Sequence, residues 1–409
     1  MTYQRLNEIS DDLISSVGNY FYVRTELFSA LEPLSKNVTI LKGARGIGKS
    51  TLLQQFLLKK REAGYKVLYI SADSTLLNTT LAEFAHEYYK RGGEYLAIDE
   101  IHKYGGWQAE VKTILDAFPH VKLMASGSSS LSLDYTAADL SRRHVMLRAK
   151  GLSFREYVNK NYQLNLKIMS LPDIISSAEE ITVQIAKIFR VNKLDVLAIF
   201  KLYLREGYFL TRDNYPTATR YYDSLLNSIN SVIESDFSAV HKEIDSVSRN
   251  NIKQLLKHIA VKCPFTPNIA ELSRNLSIAN DNSLKKYLYY LSEGEVLTNL
   301  YSANKSHKDF QKPHKIFLNN TNFAYAYCQE PLVGTIRETF VANCLSDSGE
   351  LTAPTFGDFC LDDHYTFEIG GRSKNRKQLK SIQNSFVFAD DIVSVEKDNL
   401  PLWLLGFLW

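Results

Sequence analysis

The chain has 409 residues, and since one domain typically holds roughly 100 to 200, several domains are expected. Hydrophobic residues make up 45% of the sequence and charged residues 23%, with 19 Gly and 10 Pro, which excludes collagen-like, low-complexity and wholly disordered chains. The formal net charge of +3 is too small to indicate a nucleic-acid partner, so such a partner has to be argued from local clusters of charge.

The targeting and cysteine patterns predict a cytoplasmic protein without a membrane partner. The longest apolar run, residues 400–409, reaches about half of the roughly 20 residues that a membrane-spanning helix needs. Residues 1–8 do not show the basic and apolar stretches of a secretory signal. The cysteines have neither the spacing of a zinc site nor the density of a disulfide scaffold, so we expect reduced, buried thiols. They are Cys263, Cys328, Cys344 and Cys360.

In chain order, residues 1–155 alternate short β-rich runs with helical periodicity. This alternation is typical of a mostly parallel sheet covered by helices, and it predicts the α/β class. The candidate strands are nearly all apolar, as expected for strands that are buried on both faces. They lie at residues 38–41, 67–70, 95–98 and 121–125.

The rest of the chain predicts three further domains. Residues 156–245 show helical periodicity without a β signal, which indicates a helical lid or connector. Residues 246–328 give three helical runs and then a short strand, the layout of a winged helix-turn-helix. Residues 329–409 return to mixed α and β, with strands at 366–369 and 386–388.

The segment after the first predicted strand fits the phosphate-binding pattern G-x-x-x-x-G-K-[ST] and leads into a helical run at residues 52–58. Glycines permit a turn whose main-chain amides surround a phosphate, and the start of the helix adds partial positive charge. Lys49 is then placed to neutralise the β and γ oxygens, and Ser50 to bind Mg²⁺. The predicted cradle consists of Gly43, Ala44, Arg45, Gly46, Ile47, Gly48, Lys49, Ser50 and Thr51.

The second half of the predicted nucleotide site is the acid pair Asp99 and Glu100, which ends the apolar strand at residues 95–98. Asp99 is placed to hold Mg²⁺ through water, and Glu100 to orient or deprotonate the water that attacks the γ-phosphate. We expect the strand at residues 67–70 to lie between this strand and the P-loop strand. The paired acids favour an ATPase over a simple kinase, although two solvated acids on an edge strand would leave the same pattern.

Two further groups are candidates for contact with the γ-phosphate. The strand at residues 121–125 leads into a run of small hydroxyl residues, at the edge where ligands of open α/β sheets bind. Ser128, or else Ser126, could sense the phosphate, whereas a Gly/Ser turn that caps the next helix explains the same residues. Arg142 and Arg143 could supply charge to their own site or to that of a neighbouring subunit, or could form solvated ion pairs.

Several of these segments together resemble one known family. They are the P-loop, the Asp99-Glu100 strand, the Ser126-Gly127-Ser128 turn, residues 140–143 and residues 151–157. They are similar to the prokaryotic AAA+ ATPases that carry a C-terminal nuclease-like domain. That family usually has Gly-Arg where this chain has Arg142-Arg143, so we expect Arg143 to correspond to the family's arginine.

The resemblance implies a P-loop NTPase parallel sheet of the ASCE/AAA+ type, followed by a helical lid, a winged helix and a small α/β nuclease-like domain. It also implies ATP and ADP as ligands, with Mg²⁺ as the metal ion. Ring formation is usual in the superfamily, so an assembly of identical subunits is a further expectation.

The predicted winged helix carries local positive charge. Its third helix, residues 283–291, contains Lys285 and Lys286 near the end that normally meets base edges or phosphates. A basic hairpin at residues 302–315 favours DNA binding, while a solvated hairpin on a protein-contact module would show the same lysines. The charged residues of the hairpin are Lys305, Lys308, Asp309, Lys312 and Lys315.

The last predicted domain contains acids in the order of the PD-(D/E)xK nucleases: Glu338, Asp358 and Glu368. These nucleases bind a divalent cation with carboxylates, and a lysine two residues after the last acid helps to activate water. Gly370 stands at that position, and the nearest substitute is Lys374. Without the positioned lysine, packing or binding is favoured over cleavage.

The favoured hypothesis is a Mg²⁺-dependent ATPase whose nucleotide state moves the helical connector and the C-terminal modules. One alternative is a nucleotide-gated DNA-binding or signalling regulator with little turnover. The other is a metal-dependent nuclease.

Overall fold

The computed structural model describes residues 2–34, 36–128, 140, 142–241, 243–278, 280–303 and 311–409. These residues form two compact units. The first comprises Met1–Lys150 with Ala239–Lys242, and the second comprises Gly151–Ser238 with Glu243–Trp409.

The first unit is built on a parallel five-stranded sheet, which confirms the α/β class and the P-loop NTPase sheet. Four strands match the apolar runs of the sequence, and the fifth, β5, was not predicted. Its side chains are mostly half-buried, so it lacks the apolar run that marks a strand covered on both faces. The strands are β1 (Val38–Gly43), β2 (Val67–Ser71), β3 (Tyr95–Asp99), β4 (Lys122–Ser128) and β5 (His144–Arg148).

The order of the strands is β2-β3-β4-β1-β5. The expectation that residues 67–70 lie between the P-loop strand and the acidic strand is therefore wrong, because β4 takes that place and β2 forms an edge. An edge strand can be as apolar as an interior one when another element covers it. Here the Tyr69 N–H of β2 donates to Ser10 Oγ at 2.9 Å, and Ser10 lies on the N-terminal helix.

In the part of this unit that the structure describes, five α-helices accompany the sheet. Helix α4 begins at a capping box, in which the Thr80 hydroxyl accepts from the Glu83 N–H and the Glu83 carboxylate accepts from the Thr80 N–H. The helices are α1 (Thr2–Ser16), α2 (Thr25–Ala30), α3 (Lys49–Glu62), α4 (Leu81–Lys90) and α5 (Trp107–Ala117). The apolar side chains of β1 to β4 and of α1, α4 and α5 form one buried core.

The second unit begins with a helical region, as the sequence predicts for residues 156–245. The described part of that range contains helices and turns but no strand. The helices are α6 (Phe154–Tyr162), α7 (Leu171–Ser176), α8 (Ala178–Val191), α9 (Val196–Glu206), α10 (Ala218–Ser231) and α11 (Phe237–Val240), whose last two residues are counted with the first unit.

Three helices and an antiparallel strand pair follow, which are the elements expected of a winged helix. They are α12 (Ser246–Lys262), α13 (Ile269–Asn275), α14 (Asp281–Glu293), β6 (Leu297–Ser302) and β7 (Lys315–Leu318). Strand β6 also pairs with a later strand, through Tyr301 with Thr352 and Ser302 with Ala353. One sheet therefore continues across the boundary predicted at residue 328, and the four-domain division stays a prediction.

That sheet has seven strands in the order β12-β11-β10-β9-β8-β6-β7. Its remaining strands are β8 (Leu351–Ala353), β9 (Phe359–Leu361), β10 (Tyr365–Gly370), β11 (Ser385–Ala389) and β12 (Asn399–Pro401). The last two helices are α15 (Thr321–Tyr327) and α16 (Val333–Leu345).

The apolar C-terminal run is buried in the second unit, where Leu402–Phe407 form a 3-10 helix. None of the described helices combines the length and the hydrophobicity that a bilayer crossing requires. All four cysteines are free thiols, and three of them are buried as expected; the expectation is wrong for Cys328, which is exposed.

Candidate nucleotide-binding site

The P-loop turns between β1 and α3 through two left-handed residues. Gly46 has φ +82° and Gly48 has φ +91°, a region that side chains with a Cβ rarely adopt. Gly43 needs glycine for another reason, since a Cβ there would lie 2.3 Å from the main-chain oxygen of Ala149. The three glycines of the motif thus allow a tight turn at the start of a long helix, where anions are favoured.

Lys49, the first residue of α3, points into this turn. Its Nζ atom donates to the main-chain oxygens of Gly43 and Ala44, at 2.8 Å each, and the residue is buried. The loop therefore already encloses an ammonium group. A phosphate bound by the loop amides would meet this charge at short range, which fits the role predicted for Lys49.

Asp99 ends β3, which is separated from β1 by β4, and the residue is 4% exposed. Both of its carboxylate oxygens accept hydrogen bonds from neutral hydroxyls. Tyr69 donates to Oδ2 at 2.5 Å, and Ser126 donates to Oδ1. The carboxylate is therefore held in one orientation by neutral donors, which suits a residue that binds a hydrated cation.

Tyr69 is a site residue that the sequence analysis missed. Burial raises the pKa of its hydroxyl, and the neighbouring Asp99 charge raises it further, so Tyr69 stays protonated and donates. The Ser50 side chain lowers the pKa of the same hydroxyl, so Tyr69 lies near both predicted magnesium ligands. The pairing of Ser71 with Asp99 shows why: β2 runs beside β3 and brings Tyr69 to the same end of the sheet.

Glu100 follows Asp99 in a left-handed conformation, with φ +50° and ψ 38°, which is unusual for a residue with a side chain. Its N–H lies 3.2 Å from Ser126 Oγ. Burial raises the pKa of its carboxyl, Lys49 lowers it, and Asp99 raises it. A carboxylate with a raised pKa is a stronger base, which suits the removal of a proton from water.

The hydroxyl-rich end of β4 has two roles in the structure. Ser126 touches both acids, so of the two predicted sensor serines it is the one beside Asp99 and Glu100. The Ser128 N–H instead faces His102, at 3.4 Å from Nδ1. Ser129 and Ser130, which complete the predicted turn, lie outside the described residues, and the role of Ser128 stays a prediction.

Arg143 lies at the opposite end of the sheet. Its main-chain oxygen accepts from the N–H of Val38, the first residue of β1, and its side chain pairs with Asp116. The P-loop follows the other end of this six-residue strand, about 16 Å away at the usual rise per residue. In this conformation Arg143 cannot reach the P-loop of its own chain, and a contact with a neighbouring subunit stays a prediction.

A second group of charged residues lies in the C-terminal sheet. Glu368, on β10, is 3% exposed; its Oε1 pairs with Lys374, and its Oε2 has no hydrogen-bond partner in the described part of the chain. Asp358 Oδ2 accepts from the Ile369 N–H at 2.8 Å. Since Phe359 pairs with Phe367 in an antiparallel register, Asp358 and Glu368 are neighbours across two strands.

Lys374 takes the space that Gly370 leaves open. A Cβ on Gly370 would lie 2.6 Å from three side-chain carbons of Lys374, so the lysine stem packs directly over the glycine. Lys374 therefore lies beside Glu368, and its substitution for the lysine of the nucleases stays a prediction. Among the described residues, however, no group of three or more His, Cys, Asp or Glu side chains could hold a metal ion.

The predicted basic wing is only partly described, because Lys305, Lys308 and Asp309 lie outside the described residues. Lys315 does not extend this wing, since it forms an ion pair with Glu338. Burial raises the pKa of the Glu338 carboxyl, and Lys315 lowers it.

A family model described as an AAA domain matches residues 35–158. This range contains the P-loop, Asp99, Glu100 and the end of β4. The match and the strand order together support nucleotide binding and hydrolysis at the general level of AAA-type ATPases.

One curated relative resembles much of the chain. Uncharacterized protein MJ1637 of Methanocaldococcus jannaschii is 26% identical over 314 residues, which are 73% of this chain and 64% of that protein. The chain thus spans slightly less than two thirds of the relative's length.

Three solved structures show a weak likeness. A DNA replication initiation factor is 17% identical, with a TM-score of 0.24, over 68% of this chain and 91% of that chain. AMPPCP-bound DnaA from Aquifex aeolicus is 18% identical, with a TM-score of 0.25, over 66% and 85%. PCH-2 of C. elegans is 14% identical, with a TM-score of 0.26, over 52% and 63%. At these TM-scores the structures say nothing about the ligands of this chain.

Proposed function

We propose that the chain binds ATP and hydrolyses it with Mg²⁺ at the carboxyl edge of the first sheet. The observation that carries this proposal is the position of Asp99 and Glu100 at the end of β3, with only β4 between β3 and the P-loop strand β1. Because the strands are parallel, the acid pair and the P-loop lie at the same edge. The enclosed ammonium of Lys49 and the charged, hydroxyl-held Asp99 fit a phosphate chain and a cation.

Each residue then has a separate task. The amides of residues 46–51 and Lys49 bind the phosphates, while Ser50 and Asp99 hold the cation, Asp99 through water. Bound Mg²⁺ would neutralise charge on the β and γ oxygens. Glu100 takes a proton from water as the water oxygen bonds to the γ-phosphorus and the bond to the bridging oxygen breaks, which releases ADP and phosphate.

Glu100→Gln tests this assignment because it keeps the size and polarity of the side chain but removes the base. We expect ATP binding to be retained and phosphate release to fall by roughly 10²- to 10⁴-fold. Glu62→Gln is the matched control, since Glu62 is an exposed residue at the end of α3. Phosphate release by Glu100→Gln at the parental rate would exclude Glu100 as the residue that activates water.

We further propose that nucleotide turnover moves the C-terminal half and thereby changes its contact with DNA. This proposal is supported by the α12–α14 and β6–β7 elements and by the half-exposed Lys285 and exposed Lys286 on α14. Phosphate release with and without duplex DNA tests the coupling. Strong stimulation supports a DNA-coupled ATPase, whereas negligible turnover with nucleotide-dependent DNA affinity supports the regulator.

A second candidate function is phosphodiester hydrolysis at the C-terminal sheet. It is supported by Lys374, which packs over Gly370 and pairs with Glu368, and by the buried Oε2 of Glu368, which has no hydrogen-bond partner among the described residues. Asp358 and Glu368 would hold a divalent cation, and Lys374 would orient the attacking water.

The test is cleavage of single- and double-stranded DNA with Mg²⁺ or Mn²⁺, by the full chain and by Glu368→Ala. Cleavage that is lost in Glu368→Ala but kept in Glu100→Gln would assign it to this site. No cleavage of any DNA form by the parent protein would remove this candidate without affecting the proposed ATPase.

A further inference from the structure

His102 lies in the short 3-10 helix that follows Glu100, and its side chain is 1% exposed. Its two ring nitrogens face two parts of the proposed ATPase site. Nδ1 lies 3.4 Å from the main-chain nitrogen of Ser128, the last residue of β4, and Nε2 lies 3.3 Å from Oε2 of Glu100. A buried imidazole thus connects the end of β4 with the carboxylate that is proposed to activate water.

The contact with Ser128 decides which ring nitrogen carries the hydrogen. A main-chain N–H can only donate, so Nδ1 of His102 accepts and is not protonated. The neutral ring then carries its hydrogen on Nε2, the nitrogen that faces Glu100. Glu100 therefore has a hydrogen-bond donor beside it whose orientation is set by the main chain of β4.

Glu100 has a need for this donor. Its Oε2 atom is buried and accepts no hydrogen bond of good geometry from the described residues, and Lys103 Nζ is 3.9 Å away. A buried carboxylate oxygen without a donor is costly. Nε2 of His102 lies within contact distance of this oxygen, at 3.3 Å, and is the donor that could satisfy it.

We propose that His102 is a positioning residue that holds the Glu100 carboxylate in the orientation needed for water activation and couples that orientation to the end of β4. This inference rests on the proposed ATP hydrolysis. Strand β4 ends in the serines expected to sense the γ-phosphate. A movement of this strand end would therefore move the His102 ring, and the ring would change the orientation of the Glu100 carboxylate.

Two substitutions separate the two nitrogens of the ring. The amide of His102→Gln can take the place of Nε2 and donate to Glu100, whereas His102→Asn is one methylene shorter and reaches only the side of Ser128. We expect His102→Asn to lower kcat by about 10- to 100-fold with an unchanged Kd for ATP. We expect His102→Gln to stay within roughly threefold of the parent, since it restores the donor.

A double-mutant cycle with Glu100→Gln shows whether His102 acts through Glu100. In single-turnover measurements, His102→Asn should have no further effect once Glu100 has been replaced. His120→Asn, at an exposed histidine of the same unit, is the matched control and should behave like the parent.

The outcomes separate this inference from the proposed function. A folded parent protein without ATP turnover would overturn the proposed function itself. A parent that turns over ATP, with His102→Asn at the same kcat or with His102→Gln as impaired as His102→Asn, would overturn only the role of His102.

Discussion

The nucleotide site of the first unit and the acidic group of the C-terminal sheet contain the same kinds of residue, two carboxylates and a lysine, but these residues have different partners. At the first site, Asp99 is held by the neutral hydroxyls of Tyr69 and Ser126, and Lys49 is bonded to main-chain oxygens. At the second, Glu368 is paired with Lys374. Asp99 is thus held by neutral donors, while the charge of Glu368 is compensated by a neighbouring ammonium group.

This difference has a physical consequence. A carboxylate that is oriented by hydroxyls stays fully charged, so a cation can bind without first displacing another positive group. A carboxylate paired with an ammonium group loses that ion pair when a cation binds. The comparison therefore predicts ligand effects at the first site and mainly stability effects at the second.

The largest expected effect is the loss of nucleotide binding in Lys49→Ala. Removal of the ammonium group from the loop should weaken ATP binding by about 10³-fold or more, since a buried charged contact contributes several kcal/mol. Isothermal titration with MgATP measures this change. Lys59→Ala, at an exposed lysine of the same helix, is the control. Unchanged affinity in Lys49→Ala would contradict the phosphate cradle.

The second prediction concerns the stability of the C-terminal sheet. Lys374→Met keeps the packing over Gly370 but leaves Glu368 buried without its cation, so the free energy of unfolding should fall by about 2 to 3 kcal/mol. This value allows for Lys374 being one third exposed. Urea denaturation measures it, and adding Glu368→Gln to Lys374→Met should recover most of the loss. An unchanged midpoint in Lys374→Met would show that the ion pair does not stabilise the fold.

The contrast between the two sites was only partly visible in the sequence. The P-loop and the Asp99-Glu100 pair are local patterns, and so are the apolar runs of β1 to β4. The place of β4 between β1 and β3 depends on contacts between distant segments, which local patterns do not show. Strand β2 is as apolar as an interior strand because α1 covers it, so its sequence does not mark it as an edge strand.

The contacts of Tyr69 and His102 were missed for a related reason, and Lys374 was named only as the nearest substitute. A tyrosine inside an apolar strand and a histidine after an acid pair look like ordinary core residues until the pairing of the strands is known. The chain turns back after β10, where the Lys374 N–H donates to the main-chain oxygen of Gly371 at 2.9 Å. Only this turn brings the Lys374 side chain over Gly370, and the sequence does not reveal it.

A third prediction sharpens the role of hydroxyls at the first site. Tyr69→Phe removes the donor to Oδ2 of Asp99 and the contact with Ser50, so Asp99 loses part of its orientation. The Mg²⁺ concentration for half-maximal ATP hydrolysis should rise by about tenfold, as is usual when a group behind a metal ligand is removed. Tyr65→Phe is the matched control, because Tyr65 is an exposed tyrosine of the same unit. The same Mg²⁺ dependence in Tyr69→Phe and the parent would contradict this role.

The smallest effect on an isolated chain is expected for Arg143→Ala. The ion pair with Asp116 is largely exposed, so its loss should change the free energy of unfolding by less than about 1 kcal/mol, and Asp116→Asn should do the same.

Because Arg143 lies at the amino end of the sheet, Arg143→Ala should lower ATP hydrolysis only where chains assemble and one chain supplies the arginine to the next. Mixing Arg143→Ala with Glu100→Gln tests this directly, since the first variant keeps an intact acid pair and the second keeps an intact arginine. Recovered phosphate release in the mixture supports a contact between subunits. An equal loss of ATP hydrolysis at every protein concentration, without recovery in the mixture, would mean that Arg143 acts within its own chain. That result would require another conformation, in which the Arg143 side chain reaches the P-loop of the same chain.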